Sequence, residues 1–253
     1  MRTLTGVGVG PGDPELLTLK GVRVLREADV VFAPTSALDR PSRAEQVVRE
    51  GAGVEARRLV FALDDIAGAS AARIAAWDAA GRAVLDAFDA GASRVAFATL
   101  GDPNLYSTFA YLARTVAEAG TEPVTVETVP GITAMQDLAA RLALPLAEGR
   151  EPLTLLPAAG PNPGRVLDAI ETALAGPGTV VVYKGGRHLG ALAAAVERAG
   201  RAETAVLGTD LGLPGERIAP LAREAQAAES GGAAPYFTTL ICPPPRAGRG
   251  GAL

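Results

Sequence analysis

Residues 6–20 read Gly6-Val-Gly8-Val-Gly10-Pro11-Gly12-Asp13-Pro14-Glu15-Leu16-Leu17-Thr18-Leu19-Lys20. The apolar, β-branched residues 4–9 predict a strand, and residues 15–27 predict a helix. Between them, the glycines allow a ligand to approach the backbone closely, and two prolines stiffen the turn. A strand, a glycine-rich turn and a helix make up the repeating unit of an α/β protein.

The same alternation continues through the first half of the chain. Further strands are predicted at residues 30–32, 95–98 and 124–129, and further helices at residues 69–90, 105–119 and 134–142. Strands that alternate with helices predict a mainly parallel sheet, because each connection must cross over the sheet before the next strand begins.

The pattern restarts after Pro145. The second set comprises strands at residues 153–156, 179–183, 204–207 and 237–241 and helices at residues 165–174, 189–198 and 221–229. Residues 145–152 contain the proline, glycine and charge that are typical of a linker. We therefore expect two α/β domains with mainly parallel or mixed sheets, at residues 1–145 and 146–242, followed by a flexible tail at residues 243–253.

The composition argues against several classes of protein. Of the 253 residues, 48% are apolar and 21% are charged, which is typical of a packed domain and not of a disordered chain. The formal net charge of −4 argues against a nucleic-acid binder, because such proteins carry a broad basic surface. The single cysteine, Cys242, cannot form an intrachain disulfide, and no apolar run approaches about 20 residues. We expect a cytoplasmic protein with no signal peptide and no membrane span.

The opening turn does not match the common nucleotide-binding loops. A dinucleotide fold needs the spacing G-x-G-x-x-G, but counting from Gly6 places Pro11 in the last position, and counting from Gly8 places Asp13 there. The phosphate-loop pattern G-x-x-x-x-G-K-[ST] is also missing from the sequence. A nicotinamide-dependent dehydrogenase is therefore disfavoured, and a plain strand-to-helix turn remains the alternative interpretation.

Two further motifs follow predicted strands. The second is Ala98-Thr-Leu-Gly-Asp-Pro-Asn-Leu-Tyr-Ser-Thr108, and the third is Val129-Pro-Gly-Ile-Thr-Ala134. In open parallel sheets, ligands bind outside the carboxyl ends of the strands, above all where neighbouring connections run to opposite faces. Taken alone, Asp102 has a second interpretation as the N-cap of the helix that follows, and Thr133 is a plausible cap of the next one.

Together, these three motifs are similar to those of the tetrapyrrole methylase family. The matching stretches are Gly8-Val-Gly10-Pro-Gly12-Asp-Pro-Glu-Leu-Leu-Thr-Leu-Lys20, Leu100-Gly-Asp-Pro-Asn-Leu-Tyr-Ser-Thr108 and Val129-Pro-Gly-Ile-Thr-Ala134. The second stretch resembles the branch that methylates C20 of precorrin-2. The resemblance extends from about residue 3 to residue 242 and includes Val181-Val-Tyr-Lys184 and Pro235-Tyr-Phe237.

The resemblance implies an enzyme that transfers a methyl group from S-adenosylmethionine to C20 of precorrin-2, giving precorrin-3A in cobalamin biosynthesis. It implies two α/β domains with the methyl donor in the cleft between them, usually in a homodimer, and S-adenosylhomocysteine as the product. Carried over position by position, the residues that line the donor are Pro11, Leu100, Gly101, Asp102, Leu105, Thr133, Ala134, Lys184 and Leu211. Two departures place side-chain contacts in doubt: Ala134 stands where a hydroxyl side chain is expected, and residues 206–212 are less polar than is usual.

The chemistry needs few catalytic groups. Methyl transfer from a sulfonium is an in-line displacement, so the enzyme must hold the nucleophilic carbon about 3 Å from the methyl group and exclude water. The meso carbon of a reduced tetrapyrrole is already nucleophilic, and a base need only remove its proton afterwards. We take Asp102, Tyr106 and Lys184 as the catalytic candidates.

The acetate and propionate groups of such a substrate require cations. Side chains able to bind these carboxylates are Arg23, Arg26, Arg40, Arg43, Lys184 and Arg187. Tyr236 has a claim comparable to that of Tyr106, as a group that transfers a proton or as a pocket wall. His188 is a weaker candidate for the base, and a cap or surface role is the favoured alternative for it. The sequence has no cysteine or histidine cluster, so no metal site is expected.

Two kinds of alternative remain open. Within the family, the substrate is the cobalt-bearing macrocycle of the anaerobic route, or another tetrapyrrole. Outside it, a noncatalytic nucleotide- or cofactor-binding protein would bind the donor without transferring a methyl group.

Overall fold

The computed structural model describes residues 1–40, 42–62, 70–159, 162–229, 236–246 and 248. It divides into two compact units, Met1–Thr133 and Ala134–Leu253. Among the described helices, none combines the length and the apolar character needed to cross a lipid bilayer.

The first unit is built on a parallel sheet. Its strands among the described residues are β1 (Arg2–Gly8), β2 (Val30–Thr35), β3 (Arg57–Val60), β4 (Arg94–Thr99) and β5 (Val124–Val129). They lie in the order β3-β2-β4-β1-β5, and every described pairing is parallel. From β1 to β2 the chain moves toward one edge of the sheet, and from β4 to β5 it moves toward the opposite edge.

Helices cover both faces of this sheet. They are α1 (Leu19–Glu27), α2 (Arg43–Val47), α3 (Ala71–Asp89) and α4 (Phe109–Ala119), with a π-helical turn at Val48–Ala52 directly after α2. On one face, Leu25 of α1 and Val47 of α2 share a core with Val7 of β1. On the other face, Val84 of α3 and Leu112 of α4 pack with Phe97 of β4. The connections from β1 and β4 therefore leave the sheet on opposite sides.

The second unit has a mixed sheet. Its described strands are β6 (Leu153–Pro157), β7 (Thr179–Tyr183), β8 (Val206–Thr209), β9 (Arg217–Pro220) and β10 (Thr238–Cys242), in the order β6-β7-β10-β8-β9. Only the β6–β7 pairing is parallel among those described. The last strand, β10, lies at the centre, where Leu240 and Ile241 are completely or almost completely buried on opposite faces.

The two faces of the second sheet are covered differently. Its helices are α5 (Ala134–Arg141), α6 (Pro163–Leu174), α7 (Leu189–Arg198) and α8 (Leu221–Glu229). Helices α6, α7 and α8 form one core with alternate residues of β7 and β10. On the other face, Leu138 of α5 packs with Val181 of β7 and Ile241 of β10. The predicted fold class, two α/β domains with parallel and mixed sheets, is confirmed.

The division between the units differs from the expected one at residue 145. It falls between Thr133 and Ala134, because α5 buries its apolar face against the second sheet. The expected tail also differs in its described part. Arg246 forms an ion pair with Glu151 at 2.7 Å and donates to the Pro145 carbonyl oxygen at 3.0 Å, so the chain is anchored at least to residue 246. Residues 247 and 249–253 lie outside the described residues.

Several element boundaries also differ from the sequence patterns. The predicted helix at 15–27 is a 3₁₀ turn at Pro14–Leu16 followed by α1, and the helix expected from residue 105 begins only at Phe109. The strand expected at 204–207 is Val206–Thr209, because the Thr204 hydroxyl bonds to the Arg201 carbonyl in a turn. Residue 69, the expected start of α3, lies outside the described residues. Three short elements, α2, β3 and β9, were not predicted.

Candidate functional site

The carboxyl ends of β1 and β4 mark the point in the first unit where a ligand is expected. These strands are neighbours, and their connecting helices α1 and α4 pack on opposite faces of the sheet. Such a reversal leaves a crevice outside the strand ends, which is where open α/β sheets bind ligands. The three sequence motifs all end at this edge, as residues 9–13, 100–108 and 130–133, and we call these stretches the edge loops.

The first two edge loops are paired through their backbones. The Val9 amide donates to the Thr99 carbonyl oxygen at 2.9 Å, and the Gly101 amide donates to the Gly10 carbonyl oxygen at 2.7 Å. Gly10 and Gly101 have φ values of 82° and 68°, which favour glycine strongly. The turn after β1 and the turn after β4 therefore form one rigid backbone unit at the strand ends.

The third edge loop is packed so closely at Gly131 that this position tolerates no side chain. A Cβ atom added at Gly131 would collide with the Gly101 carbonyl oxygen and lie 2.8 Å from the Gly8 Cα. A Cβ at Gly8 would lie 2.6 Å from both the Gly101 oxygen and the Gly131 nitrogen. These glycines are therefore needed for contact between loops. The sequence analysis considered ligand approach and a plain strand-to-helix turn for the glycines of the opening turn, and did not predict contact between loops.

Asp102 joins two of the edge loops. Its Oδ1 accepts a hydrogen bond from the Asn104 amide at 2.8 Å, and its Oδ2 accepts one from the Gly131 amide at 3.0 Å. Helix α4 begins at Phe109 with Thr108 at its N-cap, so the alternative interpretation of Asp102 as the N-cap is wrong. Both carboxylate oxygens are engaged by the backbone, and Asp102 fixes the loop after β4 against the loop after β5.

Tyr106 has an unusual backbone conformation for its residue type. Its φ is 50°, in the left-handed region that a non-glycine residue rarely adopts outside turns and functional sites. The side chain is 43% exposed, and partial burial raises the pKa of its phenol. The next residue, Ser107, has its Oγ 3.0 Å from the Thr99 Oγ1 and accepts from the Phe109 amide. This turn interrupts the chain before α4 and explains why the predicted helix starts late.

The structure brings the first unit's other predicted donor-lining residues to the same edge. Leu100 and Leu105 are partly exposed on the loop after β4, whereas Pro11 is buried in the turn after β1. Thr133 is also buried, and a Cβ built at Gly101 would lie 4.0 Å from its Cα, with nothing closer. At this edge, a ligand would therefore meet backbone groups and small patches of uncharged side chain rather than a charged pocket.

In the second unit, Lys184 follows β7 directly. Its φ is 61°, and its amide donates to the Thr238 carbonyl oxygen at 3.0 Å. The Lys184 Nζ lies 5.6 Å from the centre of the Tyr236 ring, within the range of a cation–π contact. Of the motif Pro235-Tyr-Phe237, Pro235 lies outside the described residues.

Leu211 lies in a tight turn between β8 and β9. Its neighbours Asp210 and Gly212 both have positive φ, at 49° and 69°. The Leu211 side chain is only 5% exposed and packs with Leu138 and Ile241, so any ligand contact there is made by the backbone. The sequence analysis did not predict the left-handed backbone conformation of Asp210. The one available signal is that aspartate adopts this left-handed conformation more readily than most residues.

The side chains predicted to bind substrate carboxylates differ in their exposure and in the bonds they already make. Arg23 pairs with Glu27 along α1 at 3.3 Å, and the Arg26 Nε donates to the Ala52 carbonyl oxygen at 2.8 Å. Arg40 and Arg187 are exposed. Arg43 is partly buried on α2. His188 occupies the N-cap position of α7, but its side chain makes no capping hydrogen bond. In the part of the chain that the structure describes, no group of three or more His, Cys, Asp or Glu side chains is arranged to hold a metal ion.

Comparison with known proteins agrees with the motifs. The family model described as tetrapyrrole (corrin/porphyrin) methylases matches residues 3–226. The chain belongs to this family. Two curated relatives are similar to it over most of their length. A probable cobalt-precorrin-2 C(20)-methyltransferase of Methanocaldococcus jannaschii is 36% identical over 68% of this chain and 70% of its own. A precorrin-2 C(20)-methyltransferase of Sinorhizobium sp is 32% identical over 95% of this chain and 94% of its own.

A solved structure supports the fold. Uroporphyrin-III C-methyl transferase from Thermus thermophilus, complexed with S-adenyl homocysteine, superposes with a TM-score of 0.62. The match covers 96% of this chain and 92% of that one, at 23% sequence identity. At this level of identity the likeness extends to the fold alone.

Proposed function

We propose that this member of the tetrapyrrole methylase family transfers a methyl group from S-adenosylmethionine to C20 of precorrin-2, giving precorrin-3A in cobalamin biosynthesis. The observation that carries the proposal is the Leu100–Thr108 motif at the strand reversal of the first sheet. Two relatives at 32% and 36% identity that are named for methylation at C20 support it.

In this proposal, nine residues bind S-adenosylmethionine. The first unit would contribute Pro11, Leu100, Gly101, Asp102, Leu105 and Thr133, and the second would contribute Ala134, Lys184 and Leu211. At Gly101, a left-handed glycine with no neighbour closer than 4.0 Å to an added Cβ leaves room for a ligand beside the backbone. Leu211 is buried and Ala134 carries no hydroxyl, so contacts at both positions would use main-chain groups.

The protein groups have distinct roles in this proposal. S-adenosylmethionine supplies the electrophilic methyl group, and the macrocycle carbon is already nucleophilic. Asp102 fixes the loop after β4 against the loop after β5. Backbone groups of these loops would surround the sulfonium. A tyrosine phenol is protonated at neutral pH, and partial burial raises the pKa of Tyr106 further, so in this proposal Tyr106 donates a hydrogen bond to the macrocycle. Lys184 pairs with a substrate carboxylate. Positioning supplies most of the rate acceleration.

A cobalt-bearing substrate is the second candidate, because the relative from Methanocaldococcus jannaschii is named for cobalt-precorrin-2. Purified protein would be incubated with S-adenosylmethionine carrying a ¹³C-methyl group and with either macrocycle, and the labelled carbon located by NMR. We expect label at C20 and faster turnover of the metal-free macrocycle. Label at another carbon would overturn the assignment, and label on the cobalt form alone would select the second candidate.

The same sample tests two further proposals. Binding of S-adenosylhomocysteine without methyl transfer to either macrocycle would identify a noncatalytic binding protein. We also propose a homodimer in the cytoplasm, and light scattering on the purified chain should give twice the mass of one chain. A monomeric mass would refute the dimer and leave the proposed chemistry intact.

A further inference from the structure

Helix α5 contacts the end of β7 and the loop before β9 through polar groups at its two ends. At its start, the Met135 amide donates to the Tyr183 hydroxyl at 3.4 Å. At its end, Arg141 donates through Nε to Asp137 Oδ1 at 2.9 Å and through Nη1 to Glu216 Oε1 at 2.8 Å. The helix begins at Ala134, and Tyr183 directly precedes Lys184.

Glu216 contacts both Arg141 and the turn that contains Leu211. Its Oε2 accepts a hydrogen bond from the Gly212 amide at 2.6 Å, a short distance typical of a carboxylate acceptor. The turn is also closed by the Leu213 amide, which donates to the Asp210 carbonyl oxygen at 3.0 Å. The Asp210 amide donates to the Phe237 carbonyl oxygen at 3.0 Å. Asp210 and Gly212, on either side of Leu211, both have left-handed backbone conformations, so the direction of the Leu211 backbone depends on these bonds.

The arginine is held by a buried partner. Asp137 is 6% exposed, and within the described residues its Oδ2 has no hydrogen-bond partner. A buried carboxylate is costly unless a cation lies beside it, so Asp137 favours one position of the Arg141 guanidinium. From that position the guanidinium donates a hydrogen bond to Glu216. This bond favours one rotamer of the Glu216 side chain.

We propose that Arg141 is a positioning residue for the methyl donor, which fixes the backbone of the Leu211 turn relative to α5 by bridging Asp137 and Glu216. This inference rests on the proposed function, in which Ala134, Lys184 and Leu211 line the donor. A single helix then sets all three positions: it carries Ala134, it binds the residue before Lys184, and it holds the turn of Leu211 through Arg141. The side chains of Asp137, Arg141 and Glu216 need not contact the donor themselves.

The test measures S-adenosylhomocysteine binding by calorimetry and S-adenosylmethionine kinetics for Glu216→Ala. This change frees the Gly212 amide and leaves Arg141 paired with the buried Asp137, so the fold is preserved. Loss of one charge-assisted bond should raise the dissociation constant, and the KM for S-adenosylmethionine, roughly tenfold. The kcat and the KM for the macrocycle should stay close to wild type, a split that general loosening of the fold would not produce.

The matched control is Arg217→Gln, on the neighbouring strand β9, which removes an exposed ion pair with Glu224. It should bind S-adenosylhomocysteine as the wild type does. Arg141→Lys keeps the charge beside Asp137 but cannot reach both carboxylates at once, and should weaken binding in the same direction if Glu216→Ala does not fold.

The outcomes separate the two proposals. Wild-type affinity in Glu216→Ala, or in Arg141→Lys where it replaces that variant, would overturn the positioning role while the proposed function stands. An equal loss in Arg217→Gln would also overturn it. Failure of the wild-type chain to bind S-adenosylhomocysteine would overturn the proposed function, and the positioning role with it.

Discussion

The two units hold the loops at their sheet edges by different means. In the first, the edge loops are joined through backbone amides, backbone carbonyls and glycines packed against one another. In the second, backbone bonds of the Leu211 turn are supplemented by side chains, through the chain of contacts from Asp137 to Arg141, Glu216 and Gly212. Asp102 bridges two edge loops of the first unit by its side chain, and the hydrogen bonds described for it are also to backbone amides.

The difference predicts how each unit responds to substitution. Backbone packing leaves no space for even one methyl group, so a small change there should have a large effect. Side-chain contacts contribute individually and are partly solvated, so single changes should shift binding or stability by graded amounts.

The largest effect is expected from Gly131→Ala. The added methyl group would collide with the Gly101 carbonyl oxygen and the Gly8 backbone, and the edge loops must separate to accept it. The free energy of unfolding should fall by about 3 kcal/mol, and S-adenosylhomocysteine binding should be lost or weakened more than about tenfold. Urea unfolding and calorimetry would measure the two effects.

Gly190→Ala in α7 is the matched control. Nothing lies within 4 Å of the added methyl group, and alanine has the higher helix propensity. This variant should be as stable as the wild type or more stable by up to about 1 kcal/mol. If Gly131→Ala unfolded at the same urea concentration as Gly190→Ala, the edge loops would not be rigidly packed.

Part of this arrangement could be predicted from the sequence. The glycine and proline motifs follow strands of the first sheet, and the parallel order of those strands brings their carboxyl ends to one edge. The strands at 124–129 and 179–183 were predicted with the bounds that the structure has. Short-range patterns of apolar residues carry enough information for these elements.

The rest depends on contacts that no local pattern encodes. Arg141 and Glu216 are 75 positions apart, and Asp102 and Gly131 are 29 apart. Strand β3 reads Arg-Arg-Leu-Val and lies at a sheet edge, where charged residues are common and the alternating pattern is weak. Helix α5 follows the third motif directly, and only tertiary packing assigns it to the second unit.

The next largest effect is expected from Arg201→Met, which tests side-chain anchoring deep in the second unit. Arg201 is 4% exposed and donates to the carbonyl oxygens of Gly176, Gly178 and Cys242. Methionine fills a similar volume but leaves these buried acceptors without their donor, so the free energy of unfolding should fall by about 2 kcal/mol. Donor affinity should not change, because Arg201 does not contact the Leu211 turn in the bonds described.

Arg198→Met is the control for that change. Arg198 lies on α7 with a 61% exposed side chain, paired with Glu171 on the surface. Its removal should change the free energy of unfolding by no more than about 0.5 kcal/mol. Equal destabilisation by both variants in urea unfolding would mean that the carbonyl contacts of Arg201 contribute nothing specific.

A smaller effect is expected from Asp102→Ala, which removes a side-chain bridge between two edge loops. The Gly131 and Asn104 amides lose their acceptor, while the glycine packing remains. Affinity for S-adenosylhomocysteine should fall roughly tenfold by calorimetry, with a modest loss of stability. Asp89→Ala, which removes an exposed acid from the end of α3, should leave the affinity unchanged. Unchanged affinity in Asp102→Ala would exclude Asp102 from the donor site.

The smallest effect is expected in the loop after β2, which the first unit holds with an ion pair. Arg58 binds both Glu45 oxygens, at 2.7 and 3.0 Å, and donates to the Leu38 carbonyl oxygen in that loop. The hydrogen bonds from Arg58 lower the pKa of the Glu45 carboxyl. Because the folded pKa is the lower one, the pair stabilises the fold above the unfolded carboxyl pKa. That contribution is lost as the pH falls through the folded value.

Glu45→Gln should therefore lower the free energy of unfolding by about 1 kcal/mol at pH 7, and the difference from the wild type should shrink as the pH falls below 4.5. Glu27→Gln, at a 47% exposed position on α1, should show little difference at either pH. Urea unfolding of the three proteins between pH 3 and pH 7 would measure this. A pH-independent difference would mean that Glu45 acts through its cap of Ser42 alone, and the loop after β2 would then be held by hydrogen bonding that does not require charge.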